Sequence, residues 1–367
     1  MNVKTTYRKP TRQVIVGDVP VGGDAPVSVQ SMTTTKTEDT AATIDQIQQL
    51  EEAGCQIIRV TVPSKSAAKS LEKIIQTVSI PVVADIHFNH VMALYAVDAG
   101  VDKIRINPGN IGEESRVKEI LDKVKAAAIP IRIGVNAGSL EKDLIEKYGY
   151  PTPAAMVESA ARHIRICKSH DFRDIIVSLK ASDVPLMIAA YRLFAEQYDF
   201  PLHLGVTEAG PYRQGSIKSA IGIGSLLAEG IGDTLRVSLA DDPVREVKVG
   251  FEILKSLNMA TKGATIVACP TCGRLEVDLF DIVEQVESYL EQTNKTLKIA
   301  IMGCAVNGPG EAGDADIGVA CGKKEALLFK AGKPIGKIPE DQVVERLIQE
   351  IEAWEPVEAT ALTESEL

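Results

Sequence analysis

Aromatic residues make up only 4% of the 367 residues, so a packed core has to be built from aliphatic side chains, for which a hydrophobic content of 45% is ample. No apolar run approaches the ~20 residues of a membrane helix. The N-terminus, Met1 to Arg12, is polar and basic and lacks the apolar stretch of a secretory signal. Six cysteines in so long a chain do not resemble a disulfide framework. These absences point to the reducing cytoplasm. Positive charge is also in deficit: the net charge of −10 argues against nonspecific nucleic-acid binding, though local arginines can still meet an anionic small molecule. No G-x-G-x-x-G turn follows the first strand, and no nicotinamide motif is visible.

The chain is longer than one core usually fills, so two domains are expected. After a short hairpin around Val14–Gly23, β-branched runs alternate with helical segments. The runs are Val27–Met32, Ile57–Val62, Val82–Phe88, Lys103–Asn107, Ile131–Asn136, Ile175–Lys180, Leu202–Thr207 and Leu235–Leu239. Helical periodicity falls between them, as at Ala41–Ala53, Glu114–Ala127, Ala154–Lys168 and Pro243–Leu257. Eight such repeats predict an α/β fold with an N-terminal (β/α)₈ TIM-type barrel over residues 1–262, an open doubly wound sheet being the alternative. A small α/β domain is expected over 263–354. Its predicted strands are Thr265–Cys269, Leu297–Met302, Asp316–Ala320 and Ala326–Lys330, with helices at Leu279–Gln292 and Glu340–Trp354. Residues 355–367, rich in Glu, Thr and Ala, read as a disordered tail.

Barrel chemistry sits at the C-terminal strand ends. Here those ends carry Arg59, then Asp85 and His87, Arg105 and Asn107, and Arg132 and Asn136. The later strands add Ser178 and Lys180, Thr207 and Glu208, and Arg236 and Ser238. Most pairs fall at i, i+2, which places both members on one face of a strand. Four arginines and a lysine on inward parity are costly to bury unless a partner meets them. Their convergence favours a cationic cup for a phosphorylated ligand, because guanidinium forks match phosphate oxygens. The competing reading is a set of structural ion pairs with Asp85 and Glu208. Glu208 is a candidate general acid or a partner for Arg236, and His87, beside an acid, is balanced between a structural and a site role.

Cysteines mark the second domain. Cys269-Pro270-Thr271-Cys272 is followed by Gly303-Cys304-Ala305-Val306-Asn307-Gly308-Pro309-Gly310-Glu311. Soft thiolates suit zinc or an iron–sulfur cluster. Three cysteines are clear and the fourth ligand is not. Cys321, 17 residues beyond Cys304, would complete a four-thiolate zinc site, although the two do not form a knuckle. Cys55 and Cys167 read as small buried hydrophobes. A zinc-stabilised barrel, either a phosphosugar lyase or aldolase using Lys180 or a non-catalytic phosphate-ligand module, is the alternative on residue chemistry alone.

Several long motifs, in order, carry a resemblance. They are Val29-Gln30-Ser31-Met32-Thr33, Val83-Ala84-Asp85-Ile86-His87-Phe88 and Arg105-Ile106-Asn107-Pro108-Gly109-Asn110-Ile111-Gly112. Arg132-Ile133-Gly134-Val135-Asn136-Ala137-Gly138-Ser139-Leu140, Gly230–Leu239 and the two cysteine motifs complete the set. The chain resembles the bacterial 4-hydroxy-3-methylbut-2-enyl diphosphate synthases of isoprenoid biosynthesis over nearly its whole length. The resemblance implies one 4Fe–4S cluster per chain, held by Cys269, Cys272, Cys304 and Glu311. It implies 2-C-methyl-D-erythritol 2,4-cyclodiphosphate as substrate and reduced flavodoxin or ferredoxin as electron donor. Arg59, Asp85, Arg105, Asn107, Arg132, Asn136, Lys180, Arg236 and Ser238 would then bind substrate. Glu208 would protonate the departing hydroxyl, with His87 as second choice, while Glu311 and Asn307 serve the cluster side. A head-to-tail homodimer is implied as well, and neither nucleic acid nor membrane enters as a partner.

Overall fold

The computed structural model describes residues 8–87, 89–107, 114–260, 263–290, 292–293 and 295–355. The expected Pro108-Gly109-Asn110 loop and residues 356–367 of the expected tail lie outside the described residues. The chain divides into two compact units, Met1–Ala260 and Thr261–Leu367.

The first unit opens with an antiparallel hairpin, β1 (Val14–Val16) and β2 (Val19–Val21). Eight parallel strands follow: β3 (Ser28–Met32), β4 (Ile57–Thr61), β5 (Val82–Ile86), β6 (Lys103–Ile106), β7 (Ile131–Asn136), β8 (Ile175–Lys180), β9 (His203–Leu204) and β10 (Thr234–Leu235). Their spatial order is β8-β7-β6-β5-β4-β3-β10-β9. A parallel bridge from Val177 to Leu202, with Val177 N donating to Pro201 O at 2.9 Å, joins the two ends and closes the barrel. β9 and β10 are shorter than expected, yet Arg236 N still donates to Leu204 O at 3.0 Å.

Helices pack outside. They are α1 (Thr40–Glu52), α2 (Lys65–Thr77), α3 (His90–Asp98), α4 (Glu114–Ala127), α5 (Lys142–Tyr148), α6 (Pro153–Ser169), α7 (Val184–Gln197), α8 (Tyr212–Ala228) and α9 (Pro243–Ser256). Several start on a side-chain cap: Ser64 accepts from Ala67 N, Thr152 from Ala155 N and Asp183 from Leu186 N, each satisfying a donor that the helix leaves orphaned. Proline in the first turn of α6, α7 and α9 loses no helical hydrogen bond there.

The pleat sorts the strand residues into two sets. Outward positions such as Ile58, Val60, Ala84, Ile104, Ile133 and Leu179 join the aliphatic core beneath the helices. Inward positions differ by height. At the N-terminal end Ile57, Val83 and Ile176 pack against Val14, Val16 and Val21, so the hairpin plugs the barrel floor. Above them the interior turns polar.

In the second unit, β11 (Thr265–Ala268), β12 (Lys298–Met302), β13 (Ile317–Cys321), β14 (Glu325–Lys330) and β15 (Lys333–Pro339) form one mixed sheet in sequence order. Helices α10 (Leu279–Leu290) and α12 (Val343–Glu352) cover one face, with Ile299, Ile301, Val319 and Leu347 in the core. A short helix, α11 (Gly308–Gly313), covers the other face through Ala312, against Met302, Ala320 and Phe329. Among the described residues no helix is long and apolar enough to cross a membrane.

Candidate active site

The inward ends of the strands enclose a cavity of about 190 Å³ lined by Met32, Arg59, Asp85, His87, Arg105, Arg132, Asn136, Ser178, Lys180, Thr207, Arg236 and Ser238. Strand parity builds it. Arg59 on β4, Asp85 on β5, Arg105 on β6, Arg132 on β7 and Lys180 on β8 all take inward positions, and register sets Asp85 beside Arg105 and Arg105 beside Arg132. The five cations are therefore brought together as expected, and so are His87, Asn136 and Ser238.

Asp85, 2% exposed, organises one wall. It accepts from Arg105 Nη1 at 3.0 Å and lies 3.5 Å from Arg59 Nε and 3.9 Å from His87 Nε2. Burial alone would raise its pKa, but Arg59, Arg105, His87 and Arg132 outweigh burial and hold the carboxyl well below the usual range. Arg59 also donates to the Met32 thioether at 2.7 Å through Nη2. Burial pulls its pKa down to about 9, with Asp85 opposing and Arg236 and Arg105 reinforcing. Lys180 is pushed well below its ordinary value by burial, then by Arg132, Arg236, Arg59 and Arg105. Asn107 is buried and donates to Ser139 Oγ at 2.9 Å.

Two expectations change. Arg236 pairs with Glu246 at 3.4 Å, not with Glu208; Glu246 also accepts from Leu239 N at 2.8 Å. Glu208 is exposed and outside the cavity lining, on a left-handed backbone with φ of 53° that a residue with a Cβ rarely adopts. Such strain is often kept near functional loops. Residues unnoticed in the sequence complete the interior. Glu246 sits in the first turn of α9, where an acid looks like ordinary helix chemistry. Lys103 and His203, both 0% exposed, lie on inward parity below the cup. Burial, then Arg132, lowers both their pKa values well below normal. Parity alone could have exposed these two. The cup thus holds five cations against two carboxylates, Asp85 and Glu246, an imbalance that an anion would relieve.

The cysteines of the second unit sit at the C-terminal ends of adjacent parallel strands. Cys269 follows β11 and Cys304 follows β12, with Cys269 N donating to Ile301 O at 3.3 Å. Gly303 N donates to Cys269 Sγ at 3.2 Å. The Cys304 thiol is lowered chiefly by the Val306 backbone N–H, with help from Asn307 and Arg274 against some desolvation. Cys272 and Glu311 are exposed. Asn307 stands at the start of α11 without its side chain capping the helix. Cys321 differs: it is 0% exposed in the apolar core, and burial pushes its thiol up to about 12. Among the described residues no three His, Cys, Asp or Glu groups gather around a point where one metal ion would sit. Cys55 and Cys167 are buried in the barrel core, as expected.

Fold and site together define a closed (β/α)₈ barrel with a cationic mouth, joined to a small α/β unit with cysteine-bearing strand ends. The GcpE TIM-barrel domain matches residues 11–251 and the GcpE protein C-terminal domain matches residues 265–353, so the chain belongs to the GcpE family. It is 56% identical over 350 residues to the 4-hydroxy-3-methylbut-2-en-1-yl diphosphate synthase (flavodoxin) of Exiguobacterium sibiricum, covering 95% of each chain. It is 57% identical over 344 residues to the enzyme of the same name from Ruminiclostridium cellulolyticum, covering 94% of this chain and 98% of the relative. Among solved structures, dihydropteroate synthase from Stenotrophomonas maltophilia aligns with a TM-score of 0.49 and 14% identity over 68% of this chain and 98% of that one.

Proposed function

We propose that the chain opens the ring of 2-C-methyl-D-erythritol 2,4-cyclodiphosphate reductively and dehydrates it to (E)-4-hydroxy-3-methylbut-2-enyl diphosphate. The observation that carries this reading is the charge imbalance of the cup, five cations against two carboxylates at the barrel mouth. Family membership supports the same reading and leaves the zinc-barrel alternative without support.

The reaction takes up two electrons and one proton. A C–O bond to phosphate breaks, a hydroxyl leaves as water, a C=C bond forms, and the diphosphate gains one negative charge. Arg59, Arg105, Arg132, Lys180 and Arg236 hold the diphosphate and stabilise the charge that develops on the departing phosphate oxygen. Asp85 fixes the direction of Arg105 and Arg59, while Asn107, Asn136 and Ser238 orient the remaining oxygens. Glu208 protonates the leaving hydroxyl from the loop after β9, with His87 as the other candidate.

A 4Fe–4S cluster suits the donor set of the second unit, in which three thiols, two just past strand ends and Cys272 in the loop after β11, are at least partly accessible, one with a lowered pKa and one already accepting a backbone N–H. Cys269, Cys272, Cys304 and Glu311 would hold it. When bound, it supplies single electrons and an iron whose carboxylate ligand exchanges more readily than a thiolate. Asn307 offers its side-chain amide, which does not cap the helix, from the same turn. In this reading residues 263–354 form the cluster domain, reduced flavodoxin or ferredoxin is the donor, the setting is the cytoplasm, and a head-to-tail homodimer brings one chain's cluster to the other chain's barrel. Anaerobic protein given the cyclic diphosphate and reduced flavodoxin should release one product for every two electrons consumed. Product without reductant, from a colourless zinc protein, would overturn the proposal.

A further inference from the structure

The inward positions of β7 read Arg132, Gly134 and Asn136. Glycine inside a strand weakens it, through backbone entropy and missing side-chain contacts. No backbone reason accounts for Gly134. It is absent from the positive-φ positions and pairs regularly with Ser178 of β8. A Cβ placed there would lie 2.6 Å from Arg105 Nε, 3.1 Å from Nη2 and 3.3 Å from Cζ, and these are the three nearest atoms. The Nε–Nη2 edge of the guanidinium is therefore pressed against the glycine. Its Nη1 donates to Asp85 Oδ1 at 3.0 Å on one side and its Nη2 to Gly134 O at 3.3 Å on the other. Two strands clamp it, and the missing side chain is what lets it reach both.

We infer that Gly134 is a positioning residue for the diphosphate: it leaves the notch in which the Arg105 guanidinium lies, and so fixes where the arginine's remaining N–H groups point. This rests on the reading of the cup as the diphosphate site. Gly205 of the neighbouring wall shows the contrast. A Cβ there would meet the Lys180 ammonium and also the Arg236 carbonyl oxygen at 2.5 Å, so the backbone itself forbids a side chain. At Gly134 only a side-chain head group stands in the way, which makes the effect on Arg105 separable from folding.

The test is calorimetric titration of the full-length holoenzyme with inorganic diphosphate, across wild type, Gly134→Ala, Arg105→Lys and the double variant, together with each thermal midpoint and the kcat and KM of turnover. Gly134→Ala should weaken binding roughly 10- to 100-fold and raise KM, as expected for a binding group displaced by about 1 Å. Its thermal midpoint should change little, because the better strand preference of alanine offsets part of the cost of moving the Arg105 head group. In the Arg105→Lys background the same replacement should cost less than about 3-fold, since lysine carries no planar fork over the notch. Equal losses in both backgrounds, or no loss in either, would overturn the inference. If Gly134→Ala fails to fold alone, recovery of folding in the Arg105→Lys background supports the contact, and failure in both overturns it. If Arg105→Lys binds diphosphate as wild type does, the diphosphate reading falls and the role of Gly134 falls with it.

Discussion

Replacing Arg132 by methionine should stabilise the protein and damage its binding site at once. Arg132 is 1% exposed, and its Nε and Nη1 have no hydrogen-bond partner among the described residues. Burial, then Arg59 and Arg105, drives its pKa well below the normal value, with Asp85 opposing. An ion taken out of water in a folded protein costs several kcal/mol even after relaxation, and a well-packed apolar residue of similar length removes that cost. Methionine retains most of the side chain's length and apolar contact. Allowing for the lost attraction to Asp85, the gain in folding free energy should be about 1–3 kcal/mol. That corresponds to a rise of roughly 2–4 °C in thermal midpoint per kcal/mol for a unit of this size. Charge-assisted hydrogen bonds to a bound anion contribute about 1.5–3 kcal/mol. Their loss should weaken diphosphate binding roughly 10- to 150-fold at 1.36 kcal/mol per factor of ten. Scanning calorimetry reads the first effect and titration calorimetry the second. A variant with a lower midpoint and unchanged affinity would refute the reasoning, because Arg132 would then be a structural ion-pair member.

Lys180 sets a pH dependence with a definite sign. Its charged form meets the anion, and its free-state pKa is lowered, so affinity is full below that pKa and falls as pH rises through it. A bound diphosphate raises that pKa, so protons are taken up at any pH where the free amine is partly neutral. Titrations in buffers of different ionisation enthalpy should therefore show net proton uptake in wild type and a smaller uptake in Lys180→Met; proton release in wild type would contradict this. Glu208→Gly removes a left-handed strain and should gain about 0.5–1 kcal/mol in stability while turnover drops at least ten-fold, as rates and calorimetry will show. Cys304→Ser should deplete iron in anaerobically purified protein. Cys321→Ser should leave iron intact but cost about 1–3 kcal/mol, because a hydroxyl replaces a thiol in an apolar core; iron loss in the Cys321 variant alone would reverse the ligand assignment.

The barrel was legible because two periods alternate without interruption from Val27 to Leu257. The cup was legible because i, i+2 spacing puts Asp85 with His87 and Ser178 with Lys180 on one face, whereas Asn107 lies outside the cavity lining and bonds to Ser139. What escaped has local causes. Glu246 looks like a helix-start acid until Arg236 reaches it across the β10–α9 turn. Lys103 begins a strand, a place where lysines usually reach solvent, and only barrel closure buries it. β15, Lys333–Pro339, reads as loop because its Lys, Pro and Gly side chains are almost all exposed; it forms by pairing with β14. Gly134 appeared only as part of a family motif, since nothing in the sequence says that a guanidinium from the neighbouring strand lies over it.

The most direct measurement is titration of the cyclic diphosphate, without reductant, into wild type and into single replacements of Arg59, Arg105, Arg132, Lys180 and Arg236. The charge-imbalanced cup predicts that every replacement weakens binding by about ten-fold or more. Wild-type affinity in three or more of the five would mean that the cations pair among themselves and with Asp85 and Glu246, and that the diphosphate is held elsewhere.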